Sequence, residues 1–366
     1  MPATTQNDHD PPRESPPVAA ADRPLTIALD ATGADAGPRE VARGAALATA
    51  RTDGLRVLVF GPAAEIAPAP GLDVVDAPVS IAKAADPARA VRGTPDASIV
   101  RAVGAVADGR ADALVSGGST GAALAAGLFH VKRARGVHRP ALAALVPVPG
   151  RPFLLVDCGA NVAVRPEHLV QFAHMGAAFM EAVMGLRSPR VALLANGTEP
   201  EKGTEVVQAA HAQLAAAEGL NFLGNVEGFA IGTGEADVIV TDGFTGNVFL
   251  KVMEGTADTL LRAVRDAATS TPRAKAGGLL LKPALVGLRD AIDPEAQGGA
   301  FLLGLRRLGV VPHGSFGAEG IARAVELAAR GVREDVVGRT HERLAAAGAL
   351  KRAPVVSDAP VTVPDP

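Results

Sequence analysis

The sequence predicts an α/β protein built on a doubly wound, mostly parallel sheet. Three observations carry this: short β-branched or aliphatic runs alternate with Ala-rich helical patterns, hydrophobic residues make up 48% of the 366, and many of the 41 glycines cluster with polar residues just after the runs. In order, the strand candidates are 25–29, 56–60, 113–116, 153–156, 190–194, 221–223 and 237–241. Residues 122–131 read as helical. The clearest helix is 166–184: Pro166 takes its first position, Glu167 lies in the first turn, Gly185 stops it, and Leu169, Phe172, Phe179 and Val183 recur at helical spacing. From 267 to 297 the strands stop, and an inserted helical hairpin is expected. Its Leu279, Leu280, Leu285 and Leu288 sit beside Lys282 and Arg289. The hairpin therefore reads either as a cover for the core or a dimer partner, or as an amphipathic membrane contact. One α/β domain is expected over 25–350. It lies between Pro-rich tails at 1–24 and 351–366, which have almost nothing to bury and read as disordered.

Composition narrows the function. There are eleven Phe, no Trp and no Tyr, and the net charge is only -3. A stacking platform for single-stranded nucleic acid and a whole-protein basic field are both missing, so no nucleic-acid partner is expected. The single cysteine, Cys158, excludes an internal disulfide and multi-cysteine metal sites. It follows an apolar strand and reads as a small, half-buried residue. No basic segment leads into an apolar run at the N-terminus, and no stretch approaches the roughly 18 apolar residues of a membrane span. A soluble, cytoplasmic protein is the expectation.

Six glycine-polar segments follow the strand candidates. They are 30–35 with Asp30, Gly33 and Asp35; 117–121 with Ser119, Thr120 and Gly121; 157–161 with Asp157 and Asn161; 196–199 with Gly197 and Thr198; 224–228 with Asn225 and Glu227; and 242–247 with Asp242, Thr245 and Gly246. In an open parallel sheet such loops gather at the carboxyl edge, where backbone N–H groups at helix N-termini receive anions. Together they suggest one polar cavity. Neither G-x-x-x-x-G-K-[ST] nor G-x-G-x-x-G occurs, no H-E-x-x-H occurs, and neither a cofactor nor a metal is expected. Segment 117–121 matches G-x-S-x-G, the pattern of a nucleophile elbow. With Asp293 and His313 following in the order Ser, Asp, His, a serine hydrolase acting through Ser119 stays open. The alternative is that Ser119 and Thr120 donate to an anion. Lys202, in 199–203, is either solvent-facing or a lone cation beside an anion cradle. Lys132, Arg133, Arg135 and Arg139 form the one concentrated basic patch, either complementing a helix end or docking an acidic partner.

Taken together, these segments resemble the bacterial phosphate acyltransferases of the PlsX-type family, collinearly over about 25–332. The resemblance rests on Arg89-Ala90-Val91-Arg92, on Arg139-Pro140-Ala141-Leu142-Ala143, on Gly159-Ala160-Asn161-Val162 with Arg165-Pro166-Glu167-His168, and on Gly224-Asn225-Val226-Glu227. Its strongest piece is Val240-Thr241-Asp242-Gly243-Phe244-Thr245-Gly246-Asn247-Val248. The resemblance implies transfer of a long-chain fatty acyl group from acyl carrier protein to inorganic phosphate, giving an acyl phosphate for a glycerol-3-phosphate acyltransferase in phospholipid synthesis. It implies a fold like that of the isocitrate and isopropylmalate dehydrogenases, in a homodimer peripherally associated with the cytoplasmic face of the plasma membrane. It also places the catalytic lysine on Lys202 and the catalytic asparagine on Asn247. The chain departs from the family pattern at Thr32, Ala34, Ser119, Ala195 and Asn196.

The residues suit that chemistry. Phosphate is an anionic nucleophile and a thiolate leaves readily, so positioning and oxyanion stabilisation suffice. On this reading Lys202 aligns phosphate, the Asn247 amide donates to the oxyanion, Arg165 and His168 are secondary anion contacts, and the basic patch steers the acidic carrier. A non-catalytic scaffold of the same fold, recruiting lipid-synthesis proteins to the membrane, is the remaining alternative.

Overall fold

The computed structural model describes residues 24–351; the Pro-rich stretches expected at either end lie, but for Pro24 and Lys351, outside the described residues. Its strands are β1 (Leu25–Asp30), β2 (Leu55–Gly61), β3 (Leu72–Asp76), β4 (Ala113–Ser116), β5 (Ala141–Val146), β6 (Phe153–Val156), β7 (Arg190–Ala195), β8 (Asn221–Glu227), β9 (Val238–Val240), β10 (Ala300–Leu303) and β11 (Leu308–Val311). Its helices are α1 (Gly37–Arg51), α2 (Pro87–Gly93), α3 (Ser98–Ala107), α4 (Thr120–Ala126), α5 (Pro166–Met184), α6 (Glu205–Ala215), α7 (Gly243–Thr269), α8 (Pro272–Ala291), α9 (Ala318–Arg333) and α10 (Val336–Ala346).

All eleven strands form one sheet, in the order β3-β2-β1-β4-β11-β10-β5-β6-β9-β7-β8. Alternate residues face opposite sides. Ile27 and Leu29 enter one core while Ala28 enters the other, and Leu154 and Val156 oppose Phe153 and Leu155 in the same way. Both faces are thus covered, as a doubly wound sheet requires. On one face α5 lies over the sheet, with Phe179 edge-on to Phe301 at 4.4 Å between ring centroids. This helix begins at Pro166 and ends at Gly185, whose left-handed φ of 67° is the stop that glycine supplies.

The sheet is mostly parallel, but it holds a reversal that the alternation of runs could not reveal. Three successive pairings, β11–β10, β10–β5 and β5–β6, are antiparallel. An odd number of reversals makes the block β6-β9-β7-β8 run opposite to β3-β2-β1-β4-β11. Carboxyl ends of the two blocks therefore leave opposite edges of the sheet, and the six glycine-polar segments do not share one edge. Four strands were not anticipated. β5 reads Ala-Leu-Ala-Ala-Leu-Val, a composition as fit for helix, while β10 and β11 are four residues each. β3 is an outer strand carrying Asp73 and Asp76. Segment 224–227 is also strand and not loop, with the register shifting where Ala192 meets Gly224.

Inside α5, His174 is buried with its Nδ1 unpartnered. Burial first, and the Arg343 charge second, push its pKa down to about 4. The folded protein keeps this imidazole neutral where an unfolded chain, titrating near 6.5, takes up a proton. Stability therefore falls as pH drops from about 6.5 to about 4, by an amount on the order of 3 kcal/mol, and is unaffected by this group above that window. His174→Gln should flatten the pH dependence of urea unfolding in that interval. An unchanged slope would mean that His174 is not the group responsible.

Candidate active site

Four neighbouring strands of the second block deliver the most complete cluster. β6 leads into 157–161, β9 into 242–247, and β7 into 196–203, and β8 contributes Asn225 and Glu227. β7 and β9 pair directly, with Leu193 opposite Val240, so the segments carrying Lys202 and Asn247 leave the same edge side by side.

Asp157 organises the first of these segments. Its carboxylate accepts from the backbone N–H groups of Leu142, Gly159, Ala160 and Asn161 and from Asn161 Nδ2, at 2.7–3.1 Å. Burial pushes its pKa up while these donors pull it down. Asp157 is thus occupied in shaping the loop, and Asn161 likewise, since its amide also donates to Pro140 O at 2.7 Å. Cys158 is fully buried rather than half-buried, and burial pushes its thiol well above the usual range, so it is inert. Its carbonyl does have a use: Asn247 Nδ2 donates to it at 3.3 Å. Asn247 sits in the first turn of α7, whose N-cap Asp242 accepts from Thr245 N at 2.9 Å and Thr245 Oγ1 at 2.7 Å. Gly246 lets this turn press onto the loop, because a Cβ there would lie 1.9 Å from Asp157 O.

Lys202 is exposed, and among the described residues it has no ion-pair partner. Asn196 and Asn225 hold its loop: Asn196 Oδ1 accepts from Gly203 N at 2.8 Å, and Asn225 Nδ2 donates to Glu199 O at 2.7 Å. Asn225 is oriented in turn by His211 Nδ1, 2.9 Å from its Oδ1. A Cβ at Gly197 would fall 2.6 Å from Lys202 Cγ, so that glycine is the floor over which the lysine stem lies. Thr198 and Glu227 flank this loop, exposed and half-buried respectively. Sequence reasoning passed over His211 and met Asn196 only as a departure from the family pattern; only the polar character of His211 between apolar residues could have signalled it.

The predicted residues of segments 30–35 and 117–121 stand on the other block. Asp30 is buried and accepts from Thr32 N, Thr32 Oγ1, Ser98 Oγ and Ser116 Oγ. Burial raises its pKa against those bonds, and its lone pairs are spoken for. Gly33 approaches Gly118, while Asp35 N donates to Gly314 O at 2.8 Å. Ser119 caps α4, its Oγ accepting from Ala122 N at 3.4 Å, with Thr120 and Gly121 opening the helix. The serine-hydrolase triad is not assembled. Asp293 caps a 3-10 turn through Glu295 N, and His313 pairs with Ser315 Oγ at 2.7 Å and stands 3.3 Å from Lys251 Nζ. That last contact matters for the architecture, because Lys251 lies one turn beyond Asn247 and ties α7 to the first block.

The basic patch begins at a helix end, with Lys132 as the C-cap, and its arginines follow beyond it. After a π-turn over Gly127–Val131 the chain turns at Lys132 (φ 70°) and runs in irregular conformation, with Arg133 bridged to Leu305. Arg133 and Arg139 face the N-terminus of α5, where Arg165 N donates to His168 Nδ1 at 3.2 Å and Arg165 Nε pairs with Glu167 at 2.8 Å. His138, Glu167 and His168 bring ligand-type atoms within 4.8 Å of one another.

Residues 25–339 match the family described as Fatty acid synthesis protein. The phosphate acyltransferase of Geobacillus thermodenitrificans is 43% identical over 319 residues, covering 86% of this chain and 97% of its own length. That of Heliobacterium modesticaldum is 43% identical over 329 residues, covering 87% and 98%. Among solved structures, the EutD phosphotransacetylase from Staphylococcus aureus aligns with a TM-score of 0.54 at 18% identity, over 84% of this chain and 94% of its own. That likeness speaks for the fold alone. Matched from Leu25 to Arg339, and closely similar to relatives along almost their whole length, the chain belongs to the phosphate acyltransferase family of fatty acid synthesis proteins.

Proposed function

We propose that this chain transfers a long-chain acyl group from the thioester of acyl carrier protein to inorganic phosphate, and that Lys202 and Asn247 carry the reaction. Support comes from the pairing of β7 with β9, since the segments that carry the unpaired Lys202 and the Asn247 amide leave these neighbouring strands at the same edge. Lys202 holds and aligns phosphate, and Asn247 donates to the thioester oxygen as it gains charge. The phosphate oxygen attacks, the C–S bond breaks, and the thiol leaves; no covalent enzyme intermediate is needed. Thiol release from a long-chain acyl thioester should require phosphate and should survive Ser119→Ala. Release that ignores phosphate and is lost in Ser119→Ala would favour hydrolysis instead. A scaffold without turnover is disfavoured by the relatives' names.

The carrier's acidic surface is matched by Lys132, Arg133, Arg135 and Arg139, all exposed. The homodimer is supported by a stripe along α7, where Phe244, Val248, Val252 and Leu260 are exposed at helical spacing. No helix among the described residues is long and apolar enough to cross a membrane. A peripheral contact, placing the protein near a membrane-bound glycerol-3-phosphate acyltransferase, is supported by α8. There Leu279 and Leu280 are 75% and 85% exposed, Leu288 is 44% exposed and Leu285 is half-buried. Replacing Leu279 and Leu280 together with Asp should lower co-sedimentation with anionic liposomes several-fold while leaving turnover of a soluble thioester intact. Undiminished sedimentation would remove the hairpin as the contact.

A further inference from the structure

An open cleft of about 340 Å³ lies between α4 with its following π-turn, the basic segment and the N-terminus of α5. Arg133, Arg139, Arg165 and Lys351 line it, with His138 and His168 between them, and no carboxylate does. Glu167 stands nearby, but it is held by Arg165 Nε. Arg133, Arg139 and Lys351 have no ion-pair partner among the described residues. Burial, opposed by Glu167 and assisted by Arg165, pushes the pKa values of both imidazoles down, leaving them neutral hydrogen-bonding groups. Such a cluster of like charges in a concave site repels itself until an anion enters. The same positive field argues against a cation on the His138, Glu167 and His168 trio.

Three features identify the anion. Guanidinium forks match the tetrahedral oxygens of phosphate through paired N–H bonds. Leu124 and Leu128 make one wall apolar. The volume falls in the range of sites for small organic molecules, about 300–1,000 Å³, and is larger than a bare ion needs. Ala160 and Asn161 line the cleft too, part of the loop whose Cys158 carbonyl accepts from the Asn247 amide. Sequence features far apart, the basic patch and the Arg165–His168 turn, thus converge on a cleft that shares a loop with Asn247. The geometry points to a binding site for the phosphate group of the acyl donor's thiol arm, distinct from the place where Lys202 holds the attacking phosphate. It orients the donor before the thioester reaches Asn247. This rests on the reading of the chain as an acyltransferase with a thioester donor.

The test separates the two. Calorimetry on the full chain, with no acyl group present, compares 4′-phosphopantetheine with pantetheine. The phosphorylated arm should bind at least tenfold more tightly, and Arg139→Gln and Arg165→Gln should each erase most of that advantage. In turnover, the ratio of kcat/KM for acyl-phosphopantetheine over acyl-pantetheine should fall in both variants toward one. Equal binding of the two arms by the wild type overturns the site. So does a pair of variants that keep the ratio but raise KM for inorganic phosphate, since the cleft would then serve the free ion. If the arm preference stands while phosphate-dependent transfer is absent, the cleft survives and the proposed reaction does not.

Discussion

Replacing Asn247 with alanine is expected to slow phosphate-dependent thiol release by on the order of a hundred- to a thousandfold, the usual cost of one lost oxyanion donor. Asn247 Nδ2 already gives one N–H to Cys158 O, which fixes the direction of the amide before any substrate arrives. A donor held in place costs no reorganisation when charge develops on the thioester oxygen, so the loss falls on kcat. Lys202→Ala should act differently. Its cation offsets phosphate charge and its stem is laid over Gly197, so the variant should raise KM for phosphate together with a fall in kcat. Lys202→Arg should restore little, because a broad planar guanidinium replaces the compact ammonium point charge at the end of the stem. Initial rates across a phosphate titration separate the two profiles. A variant of Asn247 with near-normal kcat would end its assignment as the oxyanion donor.

A second large effect is expected at a residue with no functional group. Gly246→Ala places a methyl 1.9 Å from the Asp157 carbonyl oxygen, a backbone atom fixed by the neighbouring carboxylate's five bonds. Gly243 meets the same loop, with a Cβ position 2.8 Å from Asn161 N. The first turn of α7 must therefore lift away, at a cost of about 3 kcal/mol by analogy with other overpacked sites. Asn247 moves with it, so activity should fall further than stability. Gly255→Ala supplies the contrast, since nothing lies within 4 Å of a Cβ there and an added methyl in mid-helix should stabilise by about 0.5–1 kcal/mol. Urea unfolding and turnover of both variants decide the matter. If Gly246→Ala unfolds like Gly255→Ala, the close approach is wrong.

What the sequence could and could not disclose follows from the range of each interaction. The α5 helix was legible because its signals, Pro166, the apolar spacing and Gly185, are local. Seven strands were legible as apolar runs, whereas β5 was hidden by its alanines and β11 was interrupted by Gly309. Strand direction is decided by pairing between distant segments, so the reversal at β10, and with it the splitting of six loops into two edges, left no local trace. Carboxylates posed a related difficulty. Asp30 and Asp157 stand where ligand-binding acids would stand, but only coordinates reveal that their oxygens are already filled. Lys202 and Asn247 came from family resemblance, and the structure adds that adjacent strands carry them.

The length of α7 sets a spacing within the molecule. At 1.5 Å per residue its 27 residues make a rod of about 40 Å. Asn247 lies near one end, Lys251 meets His313 one turn further on, and the far end joins the leucine-bearing helix α8. The 22 residues from Asn247 to Thr269 make the rod a spacer of about 33 Å between the amide and the turn into α8.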